Sequence, residues 1–171
     1  MNEFIKTDHE KIEDNPFKLI GRDWMLITAG TKEDFNTMTA SWGGFGFLWN
    51  KPICHIYIRP QRFTYNFIEK YDCFTLSFFE EKYREALKIC GSKSGRDIDK
   101  VKEAGLTPLE TEDENVYFGE ARLVIECRKI YHQDINPEFF LDDSIKSNYP
   151  NKDYHRMYIG EVINTLRKEK V

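Results

Sequence analysis

Six runs of this chain read as β-strands, and too little sequence separates them for a helix to lie between every pair. The runs are 24–29, 36–42, 53–58, 73–78, 120–131 and 154–165, each rich in β-branched or aromatic residues and most bounded by turn formers. A parallel pair needs a crossover of roughly a dozen residues or more, usually a helix, whereas antiparallel strands can be joined by a short turn. The spacing argues against a doubly wound parallel sheet and for a mainly β fold, a largely antiparallel barrel with peripheral helices. The fifth run alternates Leu123, Ile125 and Cys127 against Arg122, Glu126 and Arg128, as a barrel strand with one half-exposed face should. At 171 residues the chain suits a single domain, 1–171, large enough to bury a core without external staples.

Helical signals are few. The segment 60–70 carries Pro60 in its first turn, with Phe63, Phe67 and either Thr64 or Ile68 at helical spacing. The segment 79–90 gathers Phe79, Tyr83, Ala86, Leu87 and Cys90 on one stripe, the pattern of an amphipathic helix lying on the barrel. A shorter helix over 96–104 turns Ile98 and Val101 inward and stops at Gly105. Residues 1–18 read as an extended polar entry, and 136–152 as a long covering loop of the kind that carries function.

Composition removes several classes of function. A net charge of −4 argues against a general nucleic-acid binder, which needs a basic surface to neutralise phosphates. An aromatic content of 15 % in a chain that is 32 % charged leaves many rings for a core, an interface or a cleft for a flat ligand. Cys54, Cys73, Cys90 and Cys127 are widely spaced, form no CxxC pair, and read as buried thiols of a reducing compartment. His9, His55, His132 and His155 follow no metal-binding spacing, so no metal site is expected. The opening residues lack the apolar core of a signal peptide and no run reaches the length of a membrane helix, which makes the cytoplasm the expected location. No GxSxG elbow, paired catalytic carboxylates or GxGxxG turn stands out, and the GSKSG segment at 91–95 fails the P-loop pattern because Lys93 precedes the second glycine.

What remains is the stretch from Asn36 to Arg62. As a strand, 37–42 places Thr37, Thr39 and Ser41 on one face and Met38, Ala40 and Trp42 on the other. The hydroxyl face suits a polar ligand; it equally suits an ordinary amphipathic strand with outward threonines. Gly43 and Gly44 leave room for another backbone or a flat ring to come close. Arg59 and Arg62, flanking Pro60 and Gln61 at the expected start of a helix, concentrate guanidinium donors and free amides where one phosphate would bind, with Gln61 and Thr64 as neutral donors nearby. The plainer alternative is two solvated arginines. Beyond them, Asp97 and Lys100 read as a pair on the following helix.

The segments NTMTASW, WNKP, IRPQRFTYNFIE, FTLSFF, CGSKSGRDIDK and HRMYIGEV, in that order, resemble those of the flavin reductase-like, FMN-binding split-barrel family, most closely its flavoredoxin branch. The resemblance covers most of the chain. It implies an antiparallel split β-barrel of Greek-key type, homodimeric, with one FMN per subunit in a cleft near the dimer interface. By that resemblance Met38, Thr39, Ala40 and Ser41 contact the flavin, and Ser92, Lys93 and Ser94 border it. His155 lies near the ring or the incoming nicotinamide, and Met157 or Tyr158 covers the ring. Trp42 and Trp49 read as core or dimer-interface residues. NAD(P)H would bind transiently and pass hydride to the flavin, and electrons would go on to free flavin, a ferric complex or a redox protein. The alternatives are a non-enzymatic FMN-binding electron carrier and, more distantly, an oligonucleotide-binding barrel.

Overall fold

The structure is a computed structural model, described for residues 4–169. Its main sheet runs in the order β3 (Asp34–Ala40), β2 (Met25–Thr31), β6 (Cys73–Phe78), β9 (Leu123–Asp134), β10 (Arg156–Lys168), β5 (Lys51–Ile58), β4 (Gly43–Leu48), and every neighbouring pair is antiparallel. A short first strand, β1 (Phe4–Lys6), pairs with the end of β10. The sheet curls without closing, so β3 and β4 remain its two edges. A separate hairpin, β7 (Pro108–Glu110) and β8 (Val116–Phe118), packs outside it. The expected mainly β, antiparallel split-barrel fold is therefore the one observed.

Period-2 alternation builds the core. Cys54, Ile56 and Ile58 of β5, Phe74, Leu76 and Phe78 of β6, and Leu123, Ile125 and Cys127 of β9 all point inward and are buried. Each large apolar side chain removed from water in this way contributes about 1.5–3 kcal/mol. Gly160 on β10 lets the walls meet, since a Cβ there would stand 2.7 Å from both Cys127 Cβ and Phe74 Cζ. On the outer face, Leu26 and Val124 meet Phe79, Leu87, Cys90 and Phe118 in a second cluster, which seats helix α3 (Arg84–Ser92). All four cysteines are free thiols.

Several boundaries differ from the sequence reading. The entry segment is not simply extended: it holds β1, a 3-10 turn at His9–Lys11 and the single turn α1 (Pro16–Lys18), capped by the Asn15 side chain. Helix α2 spans Phe63–Lys70, not 60–70, because the Arg62 amide closes a turn on the Arg59 carbonyl at 3.0 Å and Arg62 itself is extended. The 79–90 stripe packs as expected, but its first residues form a 3-10 turn, Glu81–Tyr83, before α3 begins. Of 96–104, Lys100–Glu103 alone is helical (α4), started by the Asp99 side chain and ended at Gly105 with φ +66°. Strand β4 had no counterpart among the sequence-predicted runs. The 136–152 loop contains two 3-10 turns, Pro137–Phe139 and Asp143–Asn148.

Candidate functional site

Three pieces of chain meet at the outer end of β3: the Arg59–Arg62 turn before α2, the 91–99 loop after α3, and the last residues before β10. Thr39 donates its hydroxyl to the Leu87 carbonyl, fastening β3 to α3. Gly91 lies so close that a Cβ would stand 3.2 Å from Thr39 Cβ. Gly95 packs on Asn36 and Phe63, where a Cβ would come within 2.2 Å of Asn36 Oδ1. The Arg96 guanidinium lies 4.7 Å over the Phe63 ring and donates to the Gln61 carbonyl at 3.3 Å. These contacts fix the geometry of a small cationic corner.

Within it, the inward-turned Arg62 and Lys100 have no carboxylate partner among the described residues. Arg62 Nη1 donates to the Gly91 carbonyl at 3.0 Å, while its Nη2 is buried without a partner. Burial, with Arg59 nearby, lowers the Arg62 pKa from its ordinary value. Lys100 is 4 % exposed, and among the described residues its ammonium reaches two carbonyls at long range, Cys90 at 3.4 Å and Lys93 at 3.5 Å. Burial brings the Lys100 pKa down to about 8. A buried donor without an acceptor costs of the order of 1–3 kcal/mol, and more when charged. Such a cost persists where an anion is meant to relieve it.

Arg59 and Gln61 are differently placed. Arg59 Nη1 donates to Asp153 Oδ2 at 2.7 Å and Nη2 to the Asn148 carbonyl at 2.8 Å, with the guanidinium 5.2 Å over the Tyr149 ring. Gln61 Nε2 donates to the same Asp153 oxygen. Among the hydroxyls, Thr64 is buried and accepts from Asn36 Nδ2 at 2.7 Å. Thr37 is fully buried and bonds Thr28 and the Ile27 carbonyl, and Met38 joins the core. Ser92 caps its own helix through the Lys88 carbonyl at 2.8 Å, and Ser94 accepts from the Arg96 amide at 3.2 Å. What β3 offers a ligand is its backbone: as an edge strand it has one hydrogen-bonded neighbour, leaving the outward amides and carbonyls near Thr39, Ala40 and Ser41 free of a second strand.

The flat ring that the glycine pair accommodates is the protein's own. A Cβ on Gly44 would lie 2.3 Å from His55 Nε2, and one on Gly43 would lie 2.8 Å from the His55 carbonyl. Trp42 and Trp49 are 46 % and 55 % exposed, so neither belongs to the core. Tyr158 is buried and its hydroxyl is spent on Glu69, whereas Met157 is half-buried and pairs in register with Tyr57.

His155 forms the far wall. It is buried, 5.0 Å from the Trp42 ring, and its Nδ1 stands 2.8 Å from the Tyr149 hydroxyl. Burial, aided by the Arg59 charge, lowers its pKa to about 4, so the imidazole is neutral near pH 7. Burial also pushes the Tyr149 phenol up. The hydroxyl therefore donates to Nδ1, which leaves Nε2 as the protonated nitrogen.

Sequence reasoning missed Lys100 and Asp153. Lys100 does not pair with Asp97: its ammonium turns inward to the Cys90 and Lys93 carbonyls. Its one sequence signal is its place beside Val101, which packs on the outer-face cluster.

A family model for the flavin reductase like domain matches residues 17–171. The chain belongs to this family. No protein with a curated description matches. Solved structures of the same fold include an FMN-binding domain of a flavin reductases-like enzyme from Shewanella baltica, 18 % identical with a TM-score of 0.71, covering 98 % of this chain and 78 % of that one. Flavoredoxin of Desulfovibrio vulgaris is 22 % identical with a TM-score of 0.67, over 97 % of this chain and 78 % of that one. An NADH:FAD oxidoreductase of Streptomyces globisporus is 16 % identical with a TM-score of 0.65, over 85 % and 75 %. At these identities the likeness is one of fold. Among the described residues no helix is long and apolar enough to cross a membrane.

Proposed function

We propose that this flavin reductase-like chain, a single domain over 1–171, binds FMN at the cationic corner and acts as an NAD(P)H-dependent oxidoreductase. The observation that carries the reading is the pair Arg62 and Lys100: a half-buried arginine with one buried, orphaned guanidinium nitrogen and a buried lysine, neither with a carboxylate partner among the described residues. A phosphate monoester dianion relieves both. Arg59, Gln61 and the 92–94 loop border the phosphate, and the β3 backbone at residues 38–41 addresses the edge of the flat ring. Thr64 serves the site indirectly, by holding Asn36 against the Gly95 loop.

FMN, when bound, would supply a hydride acceptor that can release electrons singly or in pairs. The protein positions it and excludes water. His155, neutral and locked by Tyr149, offers an Nε2–H donor near the ring without changing charge during turnover. Electrons would pass to a second acceptor such as free flavin, a ferric complex or a redox protein. The exposed apolar residues Trp42, Leu48, Trp49 and Tyr131 on the β4, β5, β10 and β9 side favour a homodimer, with the nucleotide entering beside that face. A cytoplasmic setting suits the free thiols.

Anaerobic spectroscopy tests the reading. Protein loaded with FMN should show a flavin band that bleaches on addition of NADH or NADPH. A band that ignores both nucleotides but exchanges electrons with another protein would identify a carrier. Failure to take up FMN at all would refute the proposal.

A further inference from the structure

Asp153 stands where a ligand's phosphate would find its donors. Its Oδ2 accepts from both Arg59 Nη1 and Gln61 Nε2, the two outer donors of the Arg59–Arg62 turn. Its Oδ1 is buried and has no partner. The carboxylate is thus engaged through one oxygen while Arg59 turns its other nitrogen to the Asn148 carbonyl. This is a weaker arrangement than a bidentate fork, and it leaves a desolvated oxygen that gains by moving out. The segment that carries it gathers its contacts at one place: Tyr149, 6 % exposed, packs on Phe140 and Tyr154, while Phe139 and Leu141 are 74 % and 103 % exposed. A strap fastened at one cluster, with a half-satisfied clasp, opens at lower cost than the sheet beside it.

We infer that Asp153 is an internal competitor for the phosphate, occupying the Arg59 and Gln61 donors and thereby setting how tightly the site holds flavin. The inference rests on the reading that a flavin phosphate docks at this corner. In the clasped state Arg62 and Lys100 alone face the phosphate. Full engagement requires Arg59 and Gln61 to leave Asp153, so the observed affinity is the intrinsic one reduced by the fraction of unclasped protein. The consequence is functional: the clasp keeps flavin exchangeable, a passing substrate instead of a permanently held group.

Asp153→Asn keeps the shape and removes the charge. FMN and riboflavin, which differ by the phosphate alone, are titrated against wild type and variant by quenching of flavin fluorescence. The variant should bind FMN roughly tenfold tighter or more, with riboflavin unchanged. Equal or weaker FMN binding, or tightening of both flavins alike, would overturn the inference, because a purely structural role cannot separate ligands by their phosphate. Should neither protein bind FMN, the functional reading fails, and inorganic phosphate then decides. It should raise the melting temperature of the variant more than that of wild type, and equal shifts would reject the competition.

Discussion

Two cation-bearing hollows on this molecule meet their charge differently. One, a cavity of about 1140 Å³ beside α3 and the end of β10, is lined by Lys18, Arg84, Arg122, Arg167, Lys168 and several acids. Four of its five cations are matched by acids: Asp14 takes Arg122 at 2.8 Å and Arg167 at 3.4 Å, Glu81 takes Arg84 at 2.7 Å, and Asp23 takes Lys18, while Lys168 donates to the Gly119 carbonyl. At the corner, Arg62 and the buried Lys100 have carbonyl partners and no acid among the described residues. Matched charge marks the first hollow, and unmet charge marks the second. A site for an anion is recognised by what its cations lack, not by how many there are or how much space surrounds them.

The largest effect expected from this contrast comes from removing the unmatched pair. Arg62→Ala combined with Lys100→Met should weaken FMN binding by at least 100-fold, since each charge-assisted contact is worth about 1.5–3 kcal/mol. The melting temperature should hold or rise, because two desolvated charges disappear. Asp14→Asn in the first hollow should do the reverse, lowering the melting temperature slightly while FMN affinity stays constant. A variant pair that behaves the same way in both assays would erase the distinction between the hollows.

A middle-sized effect lies in pH. Lys100 must be charged to help hold a phosphate, and burial has brought its pKa down to about 8. Above that value the free protein must take up a proton to bind, so FMN affinity should fall by up to about tenfold for each further pH unit. The phosphate is already dianionic there, its second pKa being about 6, and contributes no slope. Lys100→Met should flatten the profile, and an equal slope in the variant would assign the titration elsewhere.

The smallest effect on flavin binding is expected at the far wall, whose influence is on stability. His155 has a folded-state pKa of about 4, below the ordinary value of 6.5. The unfolded chain therefore binds the proton first, and stability that is complete above pH 6.5 should be lost as pH falls toward 4, by up to about 3 kcal/mol. Denaturant unfolding of wild type and His155→Gln across that range measures it, and parallel curves would show that the histidine is not the group responsible.

The fold was legible because alternation writes burial into each strand: Leu123, Ile125 and Cys127 sit inside as their spacing requires. Strand β4 was not legible. Its sequence, Gly-Gly-Phe-Gly-Phe-Leu, lacks β-branched residues, and the turn that follows uses Trp49 and Asn50 at φ 52° and 58°, a left-handed pair that glycine usually marks. Helix α2 began late because a proline that suits a first helical turn also suits the turn before it. In the site, the arginines could be read from the chain, but their partners could not. Arg59 meets an aspartate 94 residues away, and Thr37, Thr39 and Thr64 spend their hydroxyls on Thr28, Leu87 and Asn36. Those pairings exist only after folding, as does the burial that turns Lys100 from a helix-surface cation into part of the corner.

The most direct test compares equilibrium binding of FMN and riboflavin to wild type and to the variant carrying both Arg62→Ala and Lys100→Met. Wild type should prefer FMN by about 100-fold or more, and the preference should vanish in the variant while riboflavin binding stays the same. Equal affinity of wild type for the two flavins, or a preference that survives in the variant, would contradict the assignment of the phosphate to this corner.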